Sequence, residues 1–235
     1  MKKLIELERS VIPSCDVDTI EALKRLVKAT CSIEGIGAYK IGFELVIPYG
    51  MKRIIEEIRN LTDLPVIYDH QKAATDIPAT GEKFVKACRS SGCNSIIFFP
   101  QAGPKTEESW IDAAKEADLH TIVGGEMTHA AYLESDNGFL KDDMPTRAYT
   151  IAANLGITDF VVPGNKPDKI KEYKKMLEAM GVKPIFYSPG LITQGGSITE
   201  GAKAAGNNWH AIIGRGIYAQ KEMEKAAKEL VKEIV

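Results

Sequence analysis

Long apolar runs are missing from this sequence. None reaches the roughly 18 consecutive apolar residues that a membrane-spanning helix needs. The first nine residues include Lys2, Lys3, Glu6 and Glu8 and contain no apolar stretch of the kind that signal peptides carry. We therefore expect a protein of the cytoplasm that does not bind a membrane.

An excess of basic residues is also missing. The chain has 30 lysines and arginines against 32 aspartates and glutamates, a formal net charge of -2. Proteins that bind nucleic acid usually carry a clear basic surplus, so nucleic acid is not an expected partner. The 44% of hydrophobic and 26% of charged residues are typical of a globular protein whose length of 235 residues suits one or two domains.

Cysteine is scarce, with four residues at positions 15, 31, 88 and 93. Only Cys88 and Cys93 are close in sequence, and neither a second pair nor a nearby histidine completes a zinc set. The four thiols are interpreted as small, reduced, apolar side chains, and no metal site is predicted.

Short apolar, β-branched runs alternate with longer amphipathic segments along the whole chain. The runs do not alternate between polar and apolar residues, which is typical of parallel strands covered on both faces. The predicted strands are Val11–Ser14, Ala38–Phe43, Pro65–Asp69, Ser95–Phe99, His120–Gly124, Asp159–Val162, Pro184–Tyr187 and Ala211–Gly214. The predicted helices are Thr19–Thr30, Tyr49–Asn60, Pro78–Ser91, Lys105–Ala117, Pro145–Leu155, Pro167–Met180, Ile198–Ala205 and Ile217–Ile234.

Eight strand–helix units close most simply into a (β/α)8 TIM barrel, here a single domain over residues 1–235. A doubly wound open sheet is the competing fold. It is disfavoured in its dinucleotide-binding form, because no GxGxxG follows the first strand. In a barrel, functional residues lie at the C-terminal ends of the strands, so polar residues at these ends are the candidates for a site.

The first two strands end near Asp16 and Lys40. Asp16 suits two roles equally: a cap for the next helix or an acceptor for a ligand hydroxyl. Lys40 lies inside a strongly apolar run, where burying an ammonium group is costly without an anionic partner. It is either an exposed lysine at an irregular strand end or a charge partner in a site.

The third strand ends in a dense group of charges. Asp69, Lys72 and Asp76 follow the apolar run from Val66, with His70 between them. A lysine flanked by carboxylates stays protonated and can act as a positioned proton donor. The alternative is a solvated charged loop, in which His70 is a solvated or capping histidine.

The last two strands are followed by glycine-rich loops. Pro189 and Gly190 lead to Gln194 and two further glycines after the seventh strand, and Gly214-Arg215-Gly216 follows the eighth. Glycines let backbone N–H groups approach an oxyanion, and an arginine adds a bidentate donor. Barrel enzymes often hold phosphate with these two loops, so a phosphorylated substrate is predicted here.

Taken together, these motifs resemble the orotidine 5'-monophosphate decarboxylase family, from Asp16 to Tyr218. The most specific segments are Lys40-Ile41-Gly42, Asp76-Ile77-Pro78-Ala79-Thr80, Glu126-Met127-Thr128-His129, Pro189-Gly190 with Gln194-Gly195-Gly196, and Gly214-Arg215-Gly216-Ile217-Tyr218. The resemblance implies a cofactor-free carboxy-lyase that converts orotidine 5'-monophosphate to uridine 5'-monophosphate in pyrimidine synthesis. It also implies a homodimer with sites at the subunit interface.

The resemblance also implies roles for individual residues. Lys72 corresponds to the proton donor, and Asp69 to the carboxylate beside the substrate's own carboxylate. Lys40 belongs to the charged network, and Asp16 binds the ribose. The remaining assignments are a segment that reaches into the neighbouring subunit's site (Asp76, Ile77 and Thr80), a contact to the pyrimidine (Thr128) and the phosphate grip (Pro189, Gln194, Gly214 and Arg215).

One departure from the family pattern falls at the predicted catalytic centre. The family has Asp-x-Lys-x-x-Asp before the isoleucine, whereas here the segment from Asp69 to Asp76 is two residues longer. A local bulge is one way to keep the three groups in place. Two alternatives therefore stay open: a metal-dependent sugar-phosphate decarboxylase or synthase of the same superfamily, and a homologue that binds nucleotides without catalysis.

Overall fold

The computed structural model describes residues 3–69 and 73–234, which form a parallel barrel surrounded by helices. Each strand is followed by at least one helix that returns the chain to the start of the next strand. The strands are β1 (Arg9–Pro13), β2 (Tyr39–Ile41), β3 (Val66–Asp69), β4 (Ser95–Phe98), β5 (His120–Gly124), β6 (Asp159–Val161), β7 (Ile185–Ser188) and β8 (Trp209–Ile213). The helices are α1 (Ile20–Thr30), α2 (Phe43–Tyr49), α3 (Met51–Arg59), α4 (Gly81–Ser90), α5 (Pro104–Glu116), α6 (Met144–Asn154), α7 (Pro167–Ala179), α8 (Ile198–Ala205), α9 (Arg215–Tyr218) and α10 (Met223–Ile234).

The sheet runs in the order β1-β8-β7-β6-β5-β4-β3-β2, with every neighbouring pair parallel. Between β1 and β2 the barrel is closed by isolated bridges, not by a continuous ladder of hydrogen bonds. Val11 N donates to Gly35 O at 2.9 Å, and Cys15 N donates to Lys40 O at 2.8 Å. The predicted (β/α)8 barrel is therefore confirmed.

Alternate residues of each strand divide between two apolar layers. Val11 packs outward against the helices, whereas Ile12 points into the barrel with Ile67, Ile97 and Phe99. Each buried branched or aromatic side chain contributes about 2 kcal/mol through removal of its surface from water. The interior is thus filled, and the space for a ligand lies above it, at the strand ends.

Most predicted elements agree with the structure to within one or two residues. β5 and α8 have the predicted bounds. Thr19 caps α1, because its side chain accepts a hydrogen bond from Ala22 N at 3.1 Å. The glycines that follow four of the helices all have positive φ: Gly92, Gly156, Gly181 and Gly206.

Two element predictions were wrong. Phe43 was assigned to the second strand, but the strand stops at Ile41 and Phe43 begins α2, which was not predicted. The final helix was predicted as one piece from Ile217, whereas α9 ends at Tyr218 and α10 starts at Met223. Apolar composition alone does not separate a short strand from the start of a helix.

Within residues 3–69 and 73–234, no helix is long and apolar enough to cross a membrane. All four cysteines are free thiols, and Cys15, Cys88 and Cys93 are buried, in agreement with their interpretation as apolar side chains. Burial raises the pKa of Cys93 to about 11, so this thiol stays protonated at neutral pH.

Candidate functional site

A cleft of about 230 Å³ opens at the C-terminal ends of the strands. Its floor is the top layer of the barrel interior, Ile97, Phe99, Val161 and Ile212. Gly124 makes this floor possible, because a Cβ there would lie 2.3 Å from the Phe99 ring. The cleft is therefore apolar beneath and polar around its walls.

One wall carries a chain of alternating charges. Lys40 Nζ lies 2.9 Å from Asp69 Oδ2 and 3.4 Å from Asp16 Oδ1. Burial acts to lower the pKa of Lys40, but the charges of Asp69 and Asp16 outweigh it and leave this pKa raised. Lys40 is thus a buried, charged ammonium with two anionic partners. This arrangement agrees with its interpretation as a charge partner and not with that as an exposed lysine.

Asp69 is the last residue of β3, and its two carboxylate oxygens have different surroundings in the described parts of the chain. Oδ2 contacts Lys40, whereas the buried Oδ1 has no hydrogen-bond partner among the described residues. A buried, unpaired carboxylate oxygen is costly to maintain, which is a frequent sign of a functional site. Lys72, His70 and Gln71 lie outside the described residues. The described chain resumes at Ala73, whose carbonyl accepts a hydrogen bond from Phe99 N at 3.2 Å.

Another part of the cleft wall is formed by the loops after β7 and β8. Gly190 has φ 86°, and a Cβ at this position would lie 2.5 Å from Thr128 Cγ2. Only glycine permits this approach, which brings Gln194 and Thr128 together at the rim of the cleft. Gly214 and Arg215 complete this wall beside Asp16.

A second buried ion pair supports the cleft near Thr128. Glu126 accepts from Lys166 Nζ at 2.8 Å and from the hydroxyl of Tyr173. Lys166 Nζ also donates to Met127 O at 3.1 Å, and Asn165 Nδ2 donates to Thr128 O at 3.0 Å. The backbone that carries Thr128 is therefore fixed from α7 and the loop that precedes it.

The predicted site residues separate into three groups. The structure brings eight of them together around the cleft: Asp16, Lys40, Asp69, Thr128, Pro189, Gln194, Gly214 and Arg215. It leaves Asp76, Ile77 and Thr80 outside the cleft, on an exposed segment where Asp76 Oδ1 accepts from Ile77 N. Lys72 belongs to neither group, because it lies outside the described residues.

Sequence reasoning missed three residues that line the same cleft, Ser14, Glu126 and Tyr218. Glu126 and Tyr218 stand in segments that were singled out as motifs, but neither received a role. Ser14 carries no signal that distinguishes it from any serine at a strand end. In the folded chain its hydroxyl lies 2.8 Å from Asp16 Oδ2, a contact that the local sequence does not indicate.

Charged residues at the ends of β1–β3 and glycine-rich loops after β7 and β8 define a (β/α)8-barrel protein with a polar cleft at the C-terminal ends of its strands. The family model described as orotidine 5'-phosphate decarboxylase / HUMPS matches residues 9–230. The chain belongs to this family.

Named relatives agree with this assignment. The orotidine 5'-phosphate decarboxylase of Methanococcus maripaludis is 29% identical over 216 residues, which cover 91% of this chain and 92% of the relative. The enzyme of that name from Methanocaldococcus jannaschii is 30% identical over 194 residues, with 83% and 84% coverage. A crystal structure of the latter organism's orotidine 5'-monophosphate decarboxylase, complexed with the inhibitor BMP, superposes with a TM-score of 0.83 at 27% identity. That superposition covers 96% of this chain and 98% of the other.

Proposed function

We propose that this protein decarboxylates orotidine 5'-monophosphate to uridine 5'-monophosphate, without a cofactor, as a single domain. The observation that carries the proposal is the Asp16–Lys40–Asp69 charge chain facing the glycine-rich loops across one cleft. Fixed charges stand at the ends of β1, β2 and β3, and the glycine-rich loops after β7 and β8 are suited to an anion. A nucleotide whose phosphate and reacting carbon lie at opposite ends matches that arrangement.

The reaction breaks the bond between the ring carbon and the carboxylate, and the electron pair stays on the carbon. Lys72 stabilises this developing negative charge and then transfers a proton from Nζ to the carbon. Charges that are already in place for an anion that develops later are usually the largest contribution to catalysis. Asp69 lies beside the leaving carboxylate, with Oδ1 directed to the substrate.

The phosphate is held by Gln194, Gly214 and Arg215, with Pro189 and Gly190 shaping the loop. This loop after β7 closes over the bound nucleotide. Binding energy from the phosphate, far from the reacting carbon, then orders the cleft for the chemical step. Thr128, held by Asn165, contacts the pyrimidine.

The protein acts as a homodimer, in which Asp76, Ile77 and Thr80 complete the partner's cleft. Support comes from their position, since Ile77 is 60% exposed and its segment stands outside the cleft of its own chain. The segment is firmly held, because Thr106 Oγ1 donates to Asp76 O at 2.9 Å and Trp110 Nε1 donates to Ile77 O at 3.2 Å. A held, exposed apolar residue is suited to a contact with another subunit. A location in the cytoplasm also stays a prediction.

The decisive experiment follows the absorbance of orotidine 5'-monophosphate after addition of the purified protein, with and without a chelator. We expect turnover that the chelator does not change. Dependence on Mg²⁺ would favour the sugar-phosphate enzymes, which usually have Ala-Gly where this chain has Ile77-Pro78. Binding of uridine 5'-monophosphate without turnover would mean that the protein only binds nucleotides.

The role of Lys72 has its own test. Lys72→Ala should abolish turnover and leave binding of uridine 5'-monophosphate measurable by calorimetry. Lys171→Ala, which removes a lysine side chain that is 63% exposed on α7, is the matched control and should behave as the wild type. Turnover retained in Lys72→Ala would contradict the assignment.

A further inference from the structure

Ser14 occupies a rigid position between the two strands that flank β1. Its N–H donates to Ile213 O at 2.9 Å, and the next residue, Cys15, donates to Lys40 O at 2.8 Å. Ser14 itself is 3% exposed, yet it lines the cleft. The backbone that carries its hydroxyl is therefore fixed from both β8 and β2.

The hydroxyl of Ser14 donates to Asp16 Oδ2 at 2.8 Å. The other oxygen, Oδ1, lies 3.4 Å from Lys40 Nζ, a longer contact than the 2.9 Å from this ammonium to Asp69. The two contacts hold the Asp16 carboxylate at both of its oxygens. The contact with Ser14 is the shorter of the two and has a hydrogen-bond geometry typical of a charged acceptor.

Asp16 nevertheless remains open to the cleft, with a side-chain exposure of 33%. Gly214 lies against it, because a Cβ at Gly214 would be 3.4 Å from Oδ2 and 3.5 Å from Ser14 Cβ. The carboxylate is thus confined on one side by Ser14 and Gly214 and accessible on the other. Each carboxylate oxygen accepts more than one hydrogen bond, so Oδ2 can bind Ser14 and a ligand together.

We propose that Ser14 is a positioning residue that fixes the Asp16 carboxylate to accept a hydroxyl group of the substrate's ribose. This inference rests on the proposed function, which supplies the ribose. Without the Ser14 hydroxyl, the carboxylate turns towards Lys40, where both oxygens find a charged donor. The acceptor then leaves the reach of the sugar, although the site keeps its net charge.

The test compares three ligands on Ser14→Ala: uridine 5'-monophosphate and its 2'-deoxy and 3'-deoxy analogues, measured by calorimetry. We expect the variant to bind uridine 5'-monophosphate about tenfold more weakly, the value of one hydrogen bond to a charged group. One deoxy analogue, which lacks the hydroxyl that Asp16 accepts, should bind the variant and the wild type within about twofold. KM should rise more than kcat falls.

Two variants control for a purely structural effect. Ser95→Ala removes another buried serine hydroxyl from a strand, one without a hydrogen-bond partner among the described residues, and should change no affinity. Ser14→Thr keeps the hydroxyl and should restore the preference for the complete ribose.

Equal weakening of all three ligands would overturn the proposal, since a distorted site does not distinguish them. Unchanged affinities would overturn it too. The proposed function fails separately, by lack of turnover in the wild type, whereas this inference depends only on how Ser14→Ala changes the preference among the three ligands.

Discussion

Two buried aspartates stand at opposite ends of the barrel, and their surroundings differ. Asp159, the first residue of β6, accepts hydrogen bonds from Thr158 Oγ1 at 2.7 Å and Tyr187 OH at 2.8 Å. His120 Nε2 lies 3.1 Å from the same carboxylate. Asp69, at the other end, has one oxygen without a hydrogen-bond partner among the described residues.

The comparison indicates that the N-terminal end of the barrel serves stability and the C-terminal end serves function. At the N-terminal end the carboxylate has its partners within the protein, so this region contributes to folding. At the C-terminal end one carboxylate oxygen has no hydrogen-bond partner among the described residues, and the side chain lines the cleft. Barrels generally divide these tasks between their two ends.

The largest expected effect is on the catalytic end. Asp69→Asn keeps the shape of the side chain but removes the charge beside the leaving carboxylate. Turnover should fall by about 10³-fold or more, whereas Lys40 keeps Asp16 as an anionic partner, so the free energy of unfolding should fall by no more than about 3 kcal/mol. Steady-state kinetics and urea unfolding measure the two quantities. A large loss of stability with normal turnover would reverse the functional assignment of this end.

The matching change at the other end is Asp159→Asn. Its single amide oxygen cannot accept from both Thr158 and Tyr187 as the two carboxylate oxygens do, so about 3 kcal/mol of unfolding free energy should be lost. Turnover of the folded variant should stay within about twofold of the wild type. If kcat falls as far as it does in Asp69→Asn, the two ends are not separate in function.

Acid should lower the free energy of unfolding through a histidine at the same N-terminal end of the barrel. Burial lowers the pKa of His210, whose Nδ1 lies 2.8 Å from Ser10 Oγ, to about 4. The unfolded chain binds this proton near pH 6.5, so stability is present above that pH and decreases as the pH falls towards 4, by about 3 kcal/mol. His210→Gln should have a flatter dependence of unfolding free energy on pH. An unchanged slope would remove His210 as the cause.

Glu107 on α5 lies outside both regions and gives the smallest effect. It is 2% exposed, and its Oε1 has no hydrogen-bond partner in the described parts of the chain. Burial, with a further contribution from Glu108, raises its pKa to about 8. Its raised pKa favours the folded state below about pH 4.5, and this contribution is lost as the pH rises through 8.

Glu107→Gln should therefore stabilise the protein at pH 8 by about 1 kcal/mol or more, and by less at pH 5. Thermal unfolding at the two pH values measures the difference. Glu116→Gln, an exposed position at the end of the same helix, serves as the control. Equal effects of Glu107→Gln at both pH values would show that its ionisation does not matter for stability.

Local patterns in the sequence determined the barrel and much of one site. Eight apolar runs separated by amphipathic segments leave few ways to bury both faces of a sheet, so β5 and α8 could be bounded correctly. Lys40 was recognised because an ammonium in an apolar run demands an anion. The loops at Gly190 and Gly214 were recognised because their chemistry is local to a few residues.

The tertiary structure decided what depends on distant neighbours. Asp16 is not the cap of α1, because Thr19 has that position and the Asp16 carboxylate instead contacts Ser14 and Lys40. The break between α9 and α10 falls in a segment of good helix formers, where packing overrides propensity. Asp159 and Tyr187 meet only because β6 and β7 are adjacent, and no periodicity reports which polar atoms face each other across a closed barrel.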